Sequence, residues 1–162
     1  MRRVVDISIA CALVLVLAGC GGGGSTSKTL EASFTRFDGS QASVRDYRGK
    51  PVVVNFFSST CVPCQTEMPA LEQVHRTAGT RVAFLGLDVQ DTVASGKAFV
   101  ESVGATYDMG RDPDASILQR LGGTALPTTV LVDASGKIVY QHLGKLDINE
   151  LGNQLRKHGF VT

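Results

Sequence analysis

The chain has 162 residues, a length that one ordinary domain fills, and its 16 Lys and Arg against 15 Asp and Glu give a net charge of +1. So even a balance carries no electrostatic footprint for nucleic acid or an acidic surface as partner. The four cysteines are too few and too unevenly spaced for a disulfide-stapled scaffold.

Arg2 and Arg3 form a basic start, and Ile7 to Leu17 is apolar apart from Ser8. This is a signal-peptide pattern, too short for a comfortable membrane span. It ends in Leu17-Ala18-Gly19-Cys20, which resembles the lipobox of bacterial lipoproteins. The resemblance implies cleavage before Cys20 and a diacylglyceryl group on its sulfur. An ordinary signal with a chance cysteine, or an uncleaved anchor, are the alternatives. Gly21 to Gly24 and Ser25-Thr26-Ser27 then form a flexible tether. The expected division is a signal peptide at 1–19, the lipidated Cys20 and its tether at 20–29, and a folded domain at 30–162. Losing the signal removes Arg2, Arg3 and Asp6, which leaves 14 basic and 14 acidic residues.

The domain reads as an α/β pattern. Phe34 to Phe37 and Ala42 to Val44 predict a hairpin across Asp38-Gly39-Ser40, because Asp-Gly is a strong turn signal. Pro51 to Phe57 is a continuous apolar run, as expected of a central strand covered on both faces. Cys61 to Ala78 predicts a helix with Met68, Leu71 and Val74 on one face, Gly79 as C-cap, and a kink at Pro69. A second buried strand follows at Arg81 to Asp88, then a helix at Thr92 to Val103 ended by Gly104. Ala105 to Met109 predicts a short strand and Asp114 to Leu121 a short helix. Thr128 to Asp133 and Ile138 to Leu143 predict a second hairpin. The last helix opens at Asp147, with Glu150 placed for a capping box and Ile148, Leu151 and Leu155 as its apolar stripe.

Cys61 and Cys64 are the informative pair. A buried strand delivers this C-x-x-C onto the first turn of a helix, and the spacing lets the sulfurs bond to one another. Unpaired N–H groups and the positive end of the helix dipole favour thiolate at the first sulfur. The competing reading is a metal site, but structural zinc wants four ligands. His75, His142 and His158 are scattered, and no second C-x-x-C exists.

Two segments carry a family resemblance. Val54-Asn55-Phe56-Phe57 before Cys61-Val62-Pro63-Cys64-Gln65-Thr66-Glu67-Met68-Pro69, and the later Leu126-Pro127-Thr128-Thr129-Val130-Leu131-Val132-Asp133, resemble the thioredoxin fold. The match is closest to the membrane-anchored TlpA/ResA-type disulfide oxidoreductases and spans about Leu30 to Phe160. The resemblance implies a central mixed sheet flanked by helices, with an N-terminal hairpin and a βα-type insertion. It implies that Cys61 is the nucleophile, Cys64 the resolving thiol, and Cys61–Cys64 the redox disulfide. Thr60, Val62, Pro63 and Asn55 would shape the site. Pro127 would be a cis-proline facing the disulfide, with the backbone of Leu126 offered to an extended substrate. Asp91, in Asp88-Val89-Gln90-Asp91, aligns with an acid that would have a raised pKa and relay a proton. The chain departs from the family in having no Trp, with Thr60 and Phe57 in the usual Trp places.

The resemblance also implies partners. These are cysteine-containing exported proteins such as apocytochrome c, a membrane thiol–disulfide electron donor, and the membrane itself through the lipid. The chain is expected to be a monomer outside the cytoplasm, without a dissociable cofactor, because the cysteine pair carries the electrons. A peroxiredoxin would need Thr three residues before its peroxidatic cysteine, whereas Thr60 adjoins Cys61 directly and the threonine place holds another residue. A Sco-type copper chaperone would need three residues between its cysteines, and a pure binding module would need no such pair. Disulfide reduction is the expected direction, with disulfide formation by the same fold as the alternative.

Overall fold

The computed structural model describes residues 31–162. The expected signal, Cys20 and the whole of the tether therefore lie outside the described residues. The strands are β1 (Ser33–Arg36), β2 (Gln41–Ser43), β3 (Val52–Phe57), β4 (Ala83–Asp88), β5 (Asp108–Arg111), β6 (Thr128–Val132) and β7 (Ile138–Leu143). The helices are α1 (Val62–Ala78), α2 (Val93–Val103), α3 (Ser116–Arg120) and α4 (Ile148–Lys157). All seven strands form one sheet in the order β2-β1-β5-β4-β3-β6-β7.

β3 is central because five of its six residues are apolar and all six are buried. It runs parallel to β4 and antiparallel to β6. Its alternation divides the core. Val52, Val54 and Phe56 join Phe34, Leu85, Leu118 and Val130 on one face. Val53 and Phe57 join Met68, Leu71, Phe99, Leu131 and Leu151 under the helices of the other. Each such side chain, fully buried, contributes about 1.5–3 kcal/mol. Asn55 lies on the helix-covered face, between Val53 and Phe57, and is 2% exposed.

α2 followed by β5 is the βα insertion: it adds a strand parallel to β4 and antiparallel to β1. The sequence placed that strand at 105–109, three residues too early. Thr106 is unavailable for pairing because its backbone N–H and hydroxyl both donate to Glu72 of α1, at 2.8 and 2.6 Å. β4 also starts two residues later than expected, since Gly79–Arg81 closes a 3-10 turn behind α1. A further turn of this kind at Val44–Tyr47, capped by Ser43 and Asp46, replaces the end of the expected hairpin strand.

α1 is continuous through Pro69, so the proline does not interrupt it. α2 is capped by Thr92 and Ser95 and stops at Gly104, whose φ of 68° is a left-handed conformation that glycine adopts without steric cost. Asp147 caps α4 through the Asn149 N–H at 2.8 Å. Glu150 does not complete a capping box; it accepts instead from Gln154 Nε2 at 2.8 Å.

Candidate active site

The loop from Ser58 to Cys61 leaves the end of β3 and turns directly into α1. Cys61 is the N-cap residue, with extended backbone, and its Sγ lies 3.3 Å from the Cys64 N–H that donates to it. Pro63 occupies the first turn, where a missing N–H costs no hydrogen bond. Cys61 and Cys64 are joined as a disulfide with a Cα–Cα separation of 5.3 Å. Cys64 is buried and Cys61 half-exposed, and Val62 beside it is 70% exposed. A sulfur that an incoming thiol can reach is thus followed by one that only its neighbour can reach. Reduced, Cys61 would face the N–H groups and positive dipole end of α1, which favour thiolate.

Leu126 is half-buried, Pro127 is buried, and the peptide bond between them is cis. Leu126 and Cys61 both pack against the helix-side core. Leu126 also lines a cleft of about 470 Å³ with Val89, Gln90, Leu118 and Thr124, and no lining residue is charged. Thr60 is exposed, its hydroxyl 3.2 Å from that of Ser58.

Asp91 does not have the raised pKa that the sequence led us to expect. Its Oδ2 accepts the Ser59 N–H at 2.5 Å and its Oδ1 accepts the Ser59 hydroxyl at 2.7 Å. Partial burial pushes its pKa up. The Ser59 amide, the Asp88 carboxyl, the Ser59 hydroxyl and the Arg111 charge outweigh that push, and the net shift is downward. Asp91 is therefore an ionised clamp on the loop that leads to Cys61, and the structure gives it no contact with either sulfur.

Two carboxyl groups that the sequence reading did not single out do have raised pKa values. Glu67 comes one helical turn after Cys64 and is fully buried. Thr129 Oγ1 donates to its Oε1 at 3.0 Å, and Asn55 Nδ2 approaches the same oxygen at 3.5 Å. Burial raises it to about 7, against weaker opposing effects from Thr129, the Leu146 backbone and Lys145. Asn55, expected to shape the site, lies beneath α1, where its Nδ2 also donates to Thr129 Oγ1 at 3.2 Å. Asp88, at the end of β4, is raised to about 8 by burial first and then by Asp91. The i to i+3 spacing from Cys64 was the one sequence signal that pointed to Glu67. His75 lies half-buried on α1, His142 on β7 and His158 at the end of α4, so the three do not converge.

The AhpC/TSA family profile matches residues 26–141. The thiol-disulfide oxidoreductase ResA of Bacillus thuringiensis (strain Al Hakam) is 31% identical over 124 residues, covering 76% of this chain and 72% of that protein. Among solved structures, MTB dsbF in its mixed oxidized and reduced forms superposes with a TM-score of 0.75 at 27% identity. That match covers 82% of this chain and 98% of the other. A secreted Mycobacterium tuberculosis disulfide oxidoreductase homologous to E. coli DsbE gives 0.71 at 25% identity, over 81% and 98% of the two chains. With a Cys-Val-Pro-Cys disulfide at the head of α1, the chain belongs to the thioredoxin-like AhpC/TSA family and is a thiol–disulfide oxidoreductase of the ResA/DsbE type.

Proposed function

We propose that this oxidoreductase works outside the cytoplasm, tethered by lipid on Cys20, and reduces disulfides of exported proteins such as apocytochrome c. The observation that carries the reading is the asymmetry of the cysteine pair, reachable Cys61 at the helix N-cap and buried Cys64 behind it. The Cys61 thiolate attacks a substrate disulfide, forming a mixed disulfide and releasing one substrate thiolate. Cys64 passes its proton to Glu67, one turn along the helix, and attacks Cys61 Sγ. The second substrate thiolate leaves with the electron pair of the broken mixed-disulfide bond, and the two substrate thiolates together carry the two electrons lost in forming Cys61–Cys64. A dithiol in a membrane donor then restores the pair. An extended substrate segment lying along Leu126 would meet the uncharged cleft beside it, which favours neutral residues next to the target cysteine.

The direction is tested by equilibrating the pair with glutathione. A reductant is expected near the potential of thioredoxin, about −270 mV; a value near that of DsbA, about −120 mV, would make the protein a disulfide-forming oxidase instead. The tether is tested separately. Cys20→Ala should release the protein from the membrane fraction of its host and abolish labelling by a radioactive fatty acid. Retention of both would refute lipid anchoring.

A further inference from the structure

Asp88 is 1% exposed, and among the described residues neither of its carboxyl oxygens meets a hydrogen-bond donor. A buried carboxylate left in that state is costly, so its setting matters. Its backbone is fixed at the end of β4, opposite Phe57, with Val89 N–H donating to the Phe57 carbonyl and Asp112 N–H to the Asp88 carbonyl, both at 2.8 Å. The side chain lies against α2 where that helix has Gly96. A Cβ there would collide with the carboxyl, coming within 2.9 Å of its Cγ, and would reach 3.0 Å from the Phe37 ring. Neither Gly96 nor Phe37 titrates. The charged groups acting on Asp88 are Asp91, from the loop after β4, and Arg111, from β5. Arg111 Nη2 donates to the Asp91 backbone carbonyl at 2.7 Å, and its Nε has no partner among the described residues.

Asp91 in turn holds Ser59 by two hydrogen bonds. Ser58 accepts the Cys61 N–H at 3.2 Å, so the clamp on Ser59 sits within the turn that presents Cys61. We propose that Asp88 is a positioning residue for the Cys61–Cys64 pair: a proton held between Asp88 and Asp91 sets how firmly Asp91 grips Ser59 and the loop carrying Cys61. With the proton present, Asp88 is neutral and can donate to the Asp91 carboxylate, leaving both Asp91 oxygens aligned on Ser59. When the proton goes to solvent, two carboxylates face each other and only the half-exposed Asp91 is free to move. The clamp then loosens. This inference uses the established exchange chemistry and is independent of the direction of electron flow and of the lipid tether.

The test uses isotope-labelled protein in the oxidised state, where no thiol of the pair titrates. The Asp88 carboxyl carbon and the Ser59 amide are followed by NMR between about pH 6 and pH 9. Both are expected to move with one midpoint near 8. In Asp88→Asn, whose amide donates at every pH, the Ser59 amide is expected to stay flat. The rate of reduction by dithiothreitol gives the functional readout. Wild type should fall behind Asp88→Asn by about threefold across that interval, as expected for one weakened hydrogen bond. A Ser59 amide that is flat in wild type, one that still titrates in Asp88→Asn, or a constant rate ratio would each overturn the proposal. Should Asp88→Asn not fold, wild type alone decides: midpoints for Asp88 and Ser59 that differ by more than about one pH unit refute it.

Discussion

Glu67 and Asp91 are two carboxyl groups close to one cysteine pair, and their surroundings drive them apart. Glu67 is sealed under α1 with one good donor, so burial wins and its pKa rises to about 7. Asp91 is half-exposed and takes two donors from Ser59, so hydrogen bonding wins and its pKa falls. A proton carrier works best with a pKa near the ambient pH, which assigns proton transfer to Glu67 and loop holding to Asp91. Glu67→Gln keeps the shape and removes the titration. It is expected to slow disulfide exchange by about 100-fold near neutral pH and to remove the inflection near 7 from the pH–rate profile, measured by stopped-flow reduction of a model disulfide. Asp91→Asn should slow exchange while keeping that inflection. An unchanged rate and profile in Asp91→Asn would take Asp91 out of the mechanism, and an inflection that survives Glu67→Gln would do the same for Glu67.

At the scale of elements, α2 is the piece whose placement depends on a single residue. Gly96 lets the helix backbone lie on the Asp88 carboxyl at the end of β4. Gly96→Ala gains helix propensity of about 1 kcal/mol, but overpacking a rigid contact costs about 1–3 kcal/mol, so destabilisation is expected. Because the closest clash is with the Asp88 carboxyl and the Phe37 ring is only tightly approached, Asp88→Ala should relieve most of it, and a double-mutant cycle by urea denaturation should show coupling between the two sites. Additive effects would place the Gly96 constraint elsewhere. This contact also marks where the sequence stops being informative. The apolar run of β3, the helical spacing of α1 and the glycine stops after α1 and α2 all act locally, and each was legible. So were the Cys61–Cys64 disulfide and the cis Leu126–Pro127 bond. The position of β5 was not, because Glu72 takes Thr106 from a distant part of the chain. Asp88 and Glu67 read as polar residues suited to solvent, and only tertiary packing buries them. Asp91 was legible as an acid near the site, but the sign of its pKa shift depends on Ser59, 32 residues away.

For the whole molecule these carboxyl groups set how stability follows pH. Asp88 and Glu67 bind protons more tightly in the folded state than at their ordinary values of 3.8 and 4.5. The fold must therefore lose stability as pH rises, from about 4 to about 8 for Asp88 and from about 4.5 to about 7 for Glu67. Glu72 has the opposite sign. Burial pushes it up, but the Thr106 hydroxyl and amide, Arg76 and His75 hold it down near 2. Its contribution is complete above about 4.5 and is lost as pH falls toward 2. The two limbs predict maximum stability near pH 4, with a decline toward pH 8 of up to about 1.4 kcal/mol per pH unit for each titrating group. Urea unfolding of the oxidised protein across this range measures the curve directly. The double variant Glu67→Gln/Asp88→Asn should flatten the alkaline limb and leave the acid limb in place, since Glu72 is untouched and lies on a separate face of α1. A wild-type profile that is flat between pH 5 and pH 8, or a double variant that declines as steeply as wild type, would mean that these buried carboxyl groups do not hold their protons in the folded state.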